Sequence, residues 1–147
     1  MYILDTNVIS ELRKARKTHQ NVRKWAERLP SASLYISVIS LLELEIGILL
    51  IDHRDKDRRD KDSRDKEQGA ILRTWMDRHV LPTFSDRILA IDTAVAQRCA
   101  TLHVPNPRSD RDALIAATAL VHGLTVATRN VADFERTGVG VLNPWEA

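Results

Sequence analysis

The chain has 147 residues, 44% hydrophobic and 29% charged, with 22 basic and 20 acidic side chains giving a formal net charge of +2. That length fits one domain with a real core, and the composition is that of a globular chain rather than a disordered one. The near balance of charge excludes a bulk polycation or polyanion, but it does not decide about nucleic acid, because a small average can hide a local patch. The single cysteine, Cys99, cannot form an internal disulfide. This fits an intracellular chain in which Cys99 is a small core residue. The opening Met1-Tyr2-Ile3-Leu4-Asp5-Thr6-Asn7 lacks the basic lead and long apolar region of a signal peptide. The longest apolar run, residues 46–51, is far below the roughly 20 residues needed to cross a bilayer. The expected location is the cytoplasm, with no membrane partner.

Short β-like apolar runs alternate with longer helical patterns. In chain order the spacing predicts a strand over 2–4, helices over 8–16 and 22–29, a strand over 34–37 and a helix over 41–51. It then predicts a strand over 88–91, helices over 94–102 and 113–122, and strands over 125–128 and 139–142. Gly123 directly after His122 reads as a helix C-cap. This alternation predicts an α/β domain with a central parallel sheet of about five strands flanked by helices. In such sheets function collects beyond the carboxyl ends of the strands.

Residues 1–147 are read as one such domain carrying a charged insertion at about 53–68. Within it, Arg54-Asp55-Lys56-Asp57-Arg58, Arg59-Asp60-Lys61-Asp62-Ser63 and Arg64-Asp65-Lys66-Glu67-Gln68 are tandem copies of a five-residue unit. A period of five keeps no single face on a helix, so the segment has no core of its own. Opposite charges at i,i+4, such as Asp55/Arg59 and Lys56/Asp60, suit a solvated helical extension. The interleaved aspartates argue against a basic ridge for RNA. A second cluster, Arg13, Lys14, Arg16 and Lys17 after the first helix, suits either a phosphate contact or a solvated helix end.

Four acidic or amide side chains each lie next to an apolar run: Asp5 after Tyr2-Ile3-Leu4, Glu43 in Leu41-Leu42-Glu43-Leu44-Glu45, Asp112 before Ala113-Leu114-Ile115, and Asn130 after Val126-Ala127-Thr128-Arg129. If the runs are neighbouring strands and helices, these oxygens gather at one sheet edge and form a site for a hard cation. Each has a local alternative. Asp5 is not needed as a cap, because Thr6 or Asn7 can cap the next helix. Glu43 stands three residues after Ser40, which is the capping-box spacing. Glu45 lies about 200° further round a helix, so only one of the two glutamates can face the site. Asp112 in a first helical turn is favoured by the helix dipole. Asn130, nearer the strand end, and Asp133, which carries the charge, compete for the fourth corner or serve as turn residues.

Taken together the segments resemble a known family. Tyr2-Ile3-Leu4-Asp5-Thr6-Asn7-Val8-Ile9-Ser10 resembles the opening of PIN-domain nucleases, notably the VapC and FitB-like toxins of toxin–antitoxin pairs. Ser40-Leu41-Leu42-Glu43-Leu44 with Gly47 is similar to their second motif, Asp112 through Ala119 to the third, and Thr128-Arg129-Asn130 with Asp133-Phe134 to the fourth. Asn143-Pro144-Trp145 resembles the FitB-like branch. The charged repeat departs from the pattern.

The resemblance implies a PIN-like fold and a toxin that hydrolyses RNA phosphodiester bonds as a magnesium- or manganese-dependent endoribonuclease, using a metal-activated water. It implies catalytic roles for Asp5, Glu43, Asp112 and Asn130, with Asp5, Glu43 and Asp112 as metal ligands. Thr6, Asn7, Thr128 and Asp133 then act in support, the two threonines by hydrogen-bonding the carboxylates. Asn130 stands where relatives often carry Asp, which removes one negative charge. The implied partners are an RNA substrate, a cognate antitoxin protein and a second copy of the chain in a homodimer. The all-round apolar stretch Leu41–Ile51 is in keeping with an extra buried face.

The alternative is a catalytically degenerate PIN-like module that binds RNA or regulates without cutting. A phosphoacceptor domain would want a Lys after a late strand, where this chain has Thr128-Arg129-Asn130. A haloacid-dehalogenase-like phosphatase would want Asp in place of Asn7. Metal-free RNA cleavage would want two positioned histidines, and His19, His53, His79, His103 and His122 share no motif.

Overall fold

The computed structural model describes residues 1–57 and 67–147. Five parallel strands, β1 Tyr2–Leu4, β2 Leu34–Ser37, β3 Ile88–Leu89, β4 Thr125–Ala127 and β5 Val141–Leu142, form one sheet in the order β3-β2-β1-β4-β5. The chain starts in the middle, builds outward through β2 to β3, then crosses to build β4 and β5 on the other side. The strand order therefore reverses between β1 and β4, and open α/β sheets leave a crevice at the carboxyl ends of the two strands flanking such a point.

Both faces of the central strands are covered, which explains why they read as unbroken apolar runs. Ile3 pairs in register with Val126 and Leu4 with Ala127. Alternation then sends the first pair to one face and the second to the other. Ile3 and Val126 pack with Ile115, Ala116, Ala119 and Phe134. Leu4 and Ala127 pack with Val8, Ile36, Leu44, Met76 and Phe84 on the opposite side. Each large side chain buried in this way contributes roughly 1.5–3 kcal/mol.

The helices are α1 Thr6–Leu12, α2 Gln20–Glu27, α3 Val38–Asp57, α4 Gln68–Trp75, α5 Leu81–Thr83, α6 Thr93–Leu102 and α7 Asp110–His122. Gly123 ends α7 in the left-handed conformation (φ +68), the C-cap expected of it. The expected helix over 8–16 begins two residues earlier and gives way to a separate 3-10 turn at Ala15–Lys17. The helix expected over 41–51 instead runs 20 residues, starting where β2 ends.

The sequence reading assigned no helix to α4 or its continuation through a π-helical turn, Met76–Val80, into α5. Gly69 and Pro82 mask the pattern, although Met76, Val80 and Phe84, four residues apart, are all buried. Gly69 is required where α4 crosses α3, since a Cβ there would meet the Asp52 Cα at 2.8 Å. Beside it, the buried Asp55 carboxylate accepts from the Gly69 N–H at 2.8 Å. The charge pairs expected along the repeat, such as Asp55/Arg59, each involve residues 58–66 and lie outside the described residues. No helix among the described residues is long and apolar enough to cross a membrane.

Candidate active site

Asp5 follows β1 directly, and its backbone N–H extends the ladder to the Ala127 carbonyl at 2.9 Å. Its backbone is extended (φ −66, ψ 156), and it is the N-cap residue of α1, its Oδ1 accepting from the Thr6 N–H at 2.9 Å. The expectation that Thr6 or Asn7 caps this helix is therefore corrected. The helix starts at Thr6, and one carboxylate both caps α1 and stands at the crevice. Oδ2 of Asp5 accepts from the Thr128 hydroxyl at 2.7 Å and from the Asn7 amide at 3.3 Å. Three of about four acceptor positions are used, which fixes the carboxylate and leaves one on Oδ1. The Thr128 hydroxyl also accepts from the Asn130 N–H at 3.0 Å, tying the end of β4 to the same point.

Glu43 comes from α3. The capping-box reading fails because β2 passes straight into this helix and Ser37 takes the cap role, its Oγ accepting from the Ile39 N–H at 3.0 Å. Ser40 is then an interior residue, and its buried hydroxyl has no partner among the described residues. Glu43 instead accepts from the Thr6 hydroxyl at 3.0 Å. Thr6 thus orients two carboxylates, Asp5 with its N–H and Glu43 with its O–H. Glu45 faces away into a two-pronged pair with Arg73 at 2.9 and 2.7 Å.

Asp112 is in the first turn of α7, after the N-cap Ser109. Burial pushes its carboxyl above the ordinary value, and the negative charges of Asp133, Asp5 and Glu43 push it further, with the Ser109 hydroxyl opposing. Burial also raises Asp5, against the hydrogen bonds from Thr128 and Thr6, and Asp133 adds to the rise. Four carboxylates therefore share one electrostatic neighbourhood at the β1/β4 crevice.

Asn130 and Asp133 are both exposed, at the start and within a 3-10 turn, Val131–Phe134. Among the described residues the Asn130 side chain makes no hydrogen bond to Asp5, Glu43 or Asp112, whereas the charge of Asp133 acts on both Asp5 and Asp112. Sequence reasoning gave no role to Arg111, whose guanidinium lies 3.9 Å from Glu43 Oε2. Its place beside Asp112 was the available signal. Among the four basic residues after α1, Lys14 pairs with Glu11 and Arg13 lies over the Trp75 ring at 5.9 Å.

The donor set is all oxygen and under-neutralised, which suits a hard divalent cation. Among the described residues no three His, Cys, Asp or Glu side chains converge into a ready-made cage.

The PIN domain family matches residues 2–140. The chain is 37% identical over the full length of both proteins to plasmid stability protein StbB of Pseudomonas syringae pv. tomato. It is 33% identical to VapC ribonuclease Y4jK of Sinorhizobium fredii and 33% identical to toxin FitB of Neisseria gonorrhoeae, with 99% of each chain covered in both cases. Among solved structures, FitAcB from Neisseria gonorrhoeae matches with a TM-score of 0.82 at 33% identity over all of both chains. FitAB bound to an IR36 DNA fragment matches with 0.80 at 32%, covering 99% of this chain and 96% of the other.

Proposed function

The chain belongs to the PIN-domain family, and from that premise we propose that it is the ribonuclease toxin of a toxin–antitoxin pair, cutting RNA phosphodiester bonds with Mg²⁺. The observation that carries this reading is the gathering of Asp5, Glu43, Asp112 and Asp133 around the β1/β4 crevice, where burial and then the three neighbouring negative charges raise Asp112, because such an under-neutralised oxygen set suits a divalent ion. Relatives of near-equal length that are named a VapC ribonuclease and a toxin support the activity class.

Asp5, Glu43 and Asp112 would hold the ion, with Asp133 supplying the fourth charge that Asn130 lacks. Once bound, the ion would lower the pKa of the attacking water and offset charge on the phosphoryl oxygens. The protein's own part is orientation. Thr128, Asn7 and Thr6 lock the Asp5 carboxylate, and the Thr6 hydroxyl holds Glu43 by Oε1, so that Oε2, on the side of Arg111, would align a water and take up its proton. Arg111 limits the swing of Glu43 from the other side.

An antitoxin would neutralise the toxin by covering this edge, as the toxin–antitoxin context of the relatives suggests. A homodimer would cover Leu42, Leu49 and Leu50, which are 46%, 58% and 64% exposed along α3. A stable monomer by light scattering at micromolar concentration overturns the dimer. The activity is tested on a mixed structured RNA with Mg²⁺, with EDTA, and with Asp112→Asn. Metal-dependent cutting that the variant loses is the expected result. A folded, antitoxin-free protein that binds RNA without cutting it overturns the nuclease in favour of a degenerate binding module.

A further inference from the structure

We propose that Arg129, held on the Trp145 ring beside the acidic edge, is the grip for a phosphate of the RNA strand next to the one being cut, an inference that rests on the ribonuclease reading. The backbone of Arg129 is tied to the site. Its N–H donates to Asn7 Oδ1 at 3.3 Å, and the Asn7 amide in turn donates to Asp5 Oδ2 at 3.3 Å. The side chain is tied elsewhere, with the guanidinium carbon 5.2 Å from the centroid of the Trp145 ring, inside the range of a cation–π contact.

Trp145 is itself anchored. Its N–H donates to Asn143 Oδ1 at 3.0 Å, and its carbonyl accepts from the Asn21 amide on α2 at 2.7 Å. Pro144, just before it, is buried. The last turn of the chain is thus a rigid shelf beside the end of β4.

Arg129, Asn130, Asp133, Asn143 and Glu146 line an open polar groove of about 640 Å³ next to the acidic edge. That volume is within the range of sites that hold a small organic group. Two carboxylates share the groove with a guanidinium, yet among the described residues the guanidinium makes no ion pair or hydrogen bond with either. A ring contact engages the charge and leaves the fork of N–H donors open, and that fork matches phosphate oxygens. The crowded carboxylates repel an approaching polyanion, so a fixed cation one residue from Thr128 offsets the repulsion where the strand must lie.

The test uses the full chain carrying Asp112→Asn, so that RNA is bound without being cut, with a single-stranded RNA oligonucleotide as the probe in Mg²⁺. Binding is followed from about 50 to 200 mM salt, the span over which phosphate contacts separate from other contacts. Adding Arg129→Gln is expected to weaken binding about tenfold and to lower the slope of log K against log salt by about 0.7, the share of one single-strand phosphate. Arg129→Lys should keep the slope but lose part of the affinity, because the planar fork is gone. Trp145→Ala should weaken binding less than Arg129→Gln.

An unchanged slope in Arg129→Gln overturns the inference and leaves Arg129 a clasp for the C-terminal turn. If that variant melts well below the parent, Arg129→Met, which keeps an apolar stem on Trp145, replaces it with the same expected slope. Cleavage by the otherwise unaltered chain is measured alongside. A chain that cuts RNA while the slope stays fixed loses this inference alone, whereas a folded chain that neither cuts nor binds RNA loses both readings.

Discussion

The two ends of α1 carry two carboxylates with the same 7% exposure and opposite electrostatics. At its N-terminus Asp5 is raised above the ordinary value, mainly by burial, which outweighs the hydrogen bonds from Thr128 and Thr6, and Asp133 adds to the rise. Past the middle of the helix, burial alone would also raise Glu11. The Lys14 ammonium at 3.1 Å and the His19 N–H at 3.3 Å more than offset it, and the group ends lowered. Glu11 further serves the turn that follows, its carbonyl accepting from the Thr18 hydroxyl at 3.1 Å. A buried carboxylate whose partners are in place is structural. A buried carboxylate held only by neutral donors, with another carboxylate acting on it, is the pattern of a candidate functional group.

The widest separation of the two ends is expected in activity. Asp112→Asn should lower Mg²⁺-dependent RNA cleavage by more than about a hundredfold, beyond what loss of a supporting contact costs, while Glu11→Gln should leave the cleavage rate of the folded protein near that of the parent. Gel-based initial rates on one RNA decide this, and equal losses would erase the distinction. Next in size, Thr128→Val removes the 2.7 Å donor to Asp5. It should cost about ten- to a hundredfold in rate or metal affinity, with Thr128→Ser recovering most of it.

Stability should divide the other way. Glu11→Gln is expected to cost about 1–3 kcal/mol in urea unfolding, from the charged hydrogen bonds it weakens. The lowered carboxyl of Glu11 stabilises the fold above the ordinary carboxylate range, and this is lost as pH falls through its folded value. The penalty of Glu11→Gln should therefore be greatest near neutral pH and fade in acid. Asp112 has the opposite sign. Its raised carboxyl favours the folded state at low pH and loses that advantage as pH rises through its folded value. Asp112→Asn should thus be more stable than the parent near neutral pH, and the gain should vanish in acid.

Mg²⁺ at saturating concentration should raise the melting temperature of the parent by linkage, and it should do so much less in Asp112→Asn. The smallest effect belongs to Glu45, whose pair with Arg73 is more than a third exposed on both sides. Glu45→Gln should change stability by less than about 1 kcal/mol and leave cleavage unaltered, although Glu43 stands only two residues away.

The sequence by itself determined much of this protein. Short β-like runs at 2–4 and 125–128 announced strands, and their alternation with helical patterns pointed to a parallel α/β sheet. The opening and Asp112–Ala119 segments carried the family, because these patterns report burial and local spacing within a few residues. Tertiary structure decided what depends on distant pairs. Glu43 reads locally as a cap partner of Ser40, and only the contact from Thr6, 37 residues away, turns it to the acidic edge. Whether Asn130 or Asp133 stands nearer the other carboxylates was equally undecided, since the answer lies in how a 3-10 turn after β4 is set against β1 and α7. The Asp5–Thr128 bond spans 123 residues. A chain's periodicity says which side of an element is buried, but it does not say which oxygens meet across a crevice, because that is set by strand order and register.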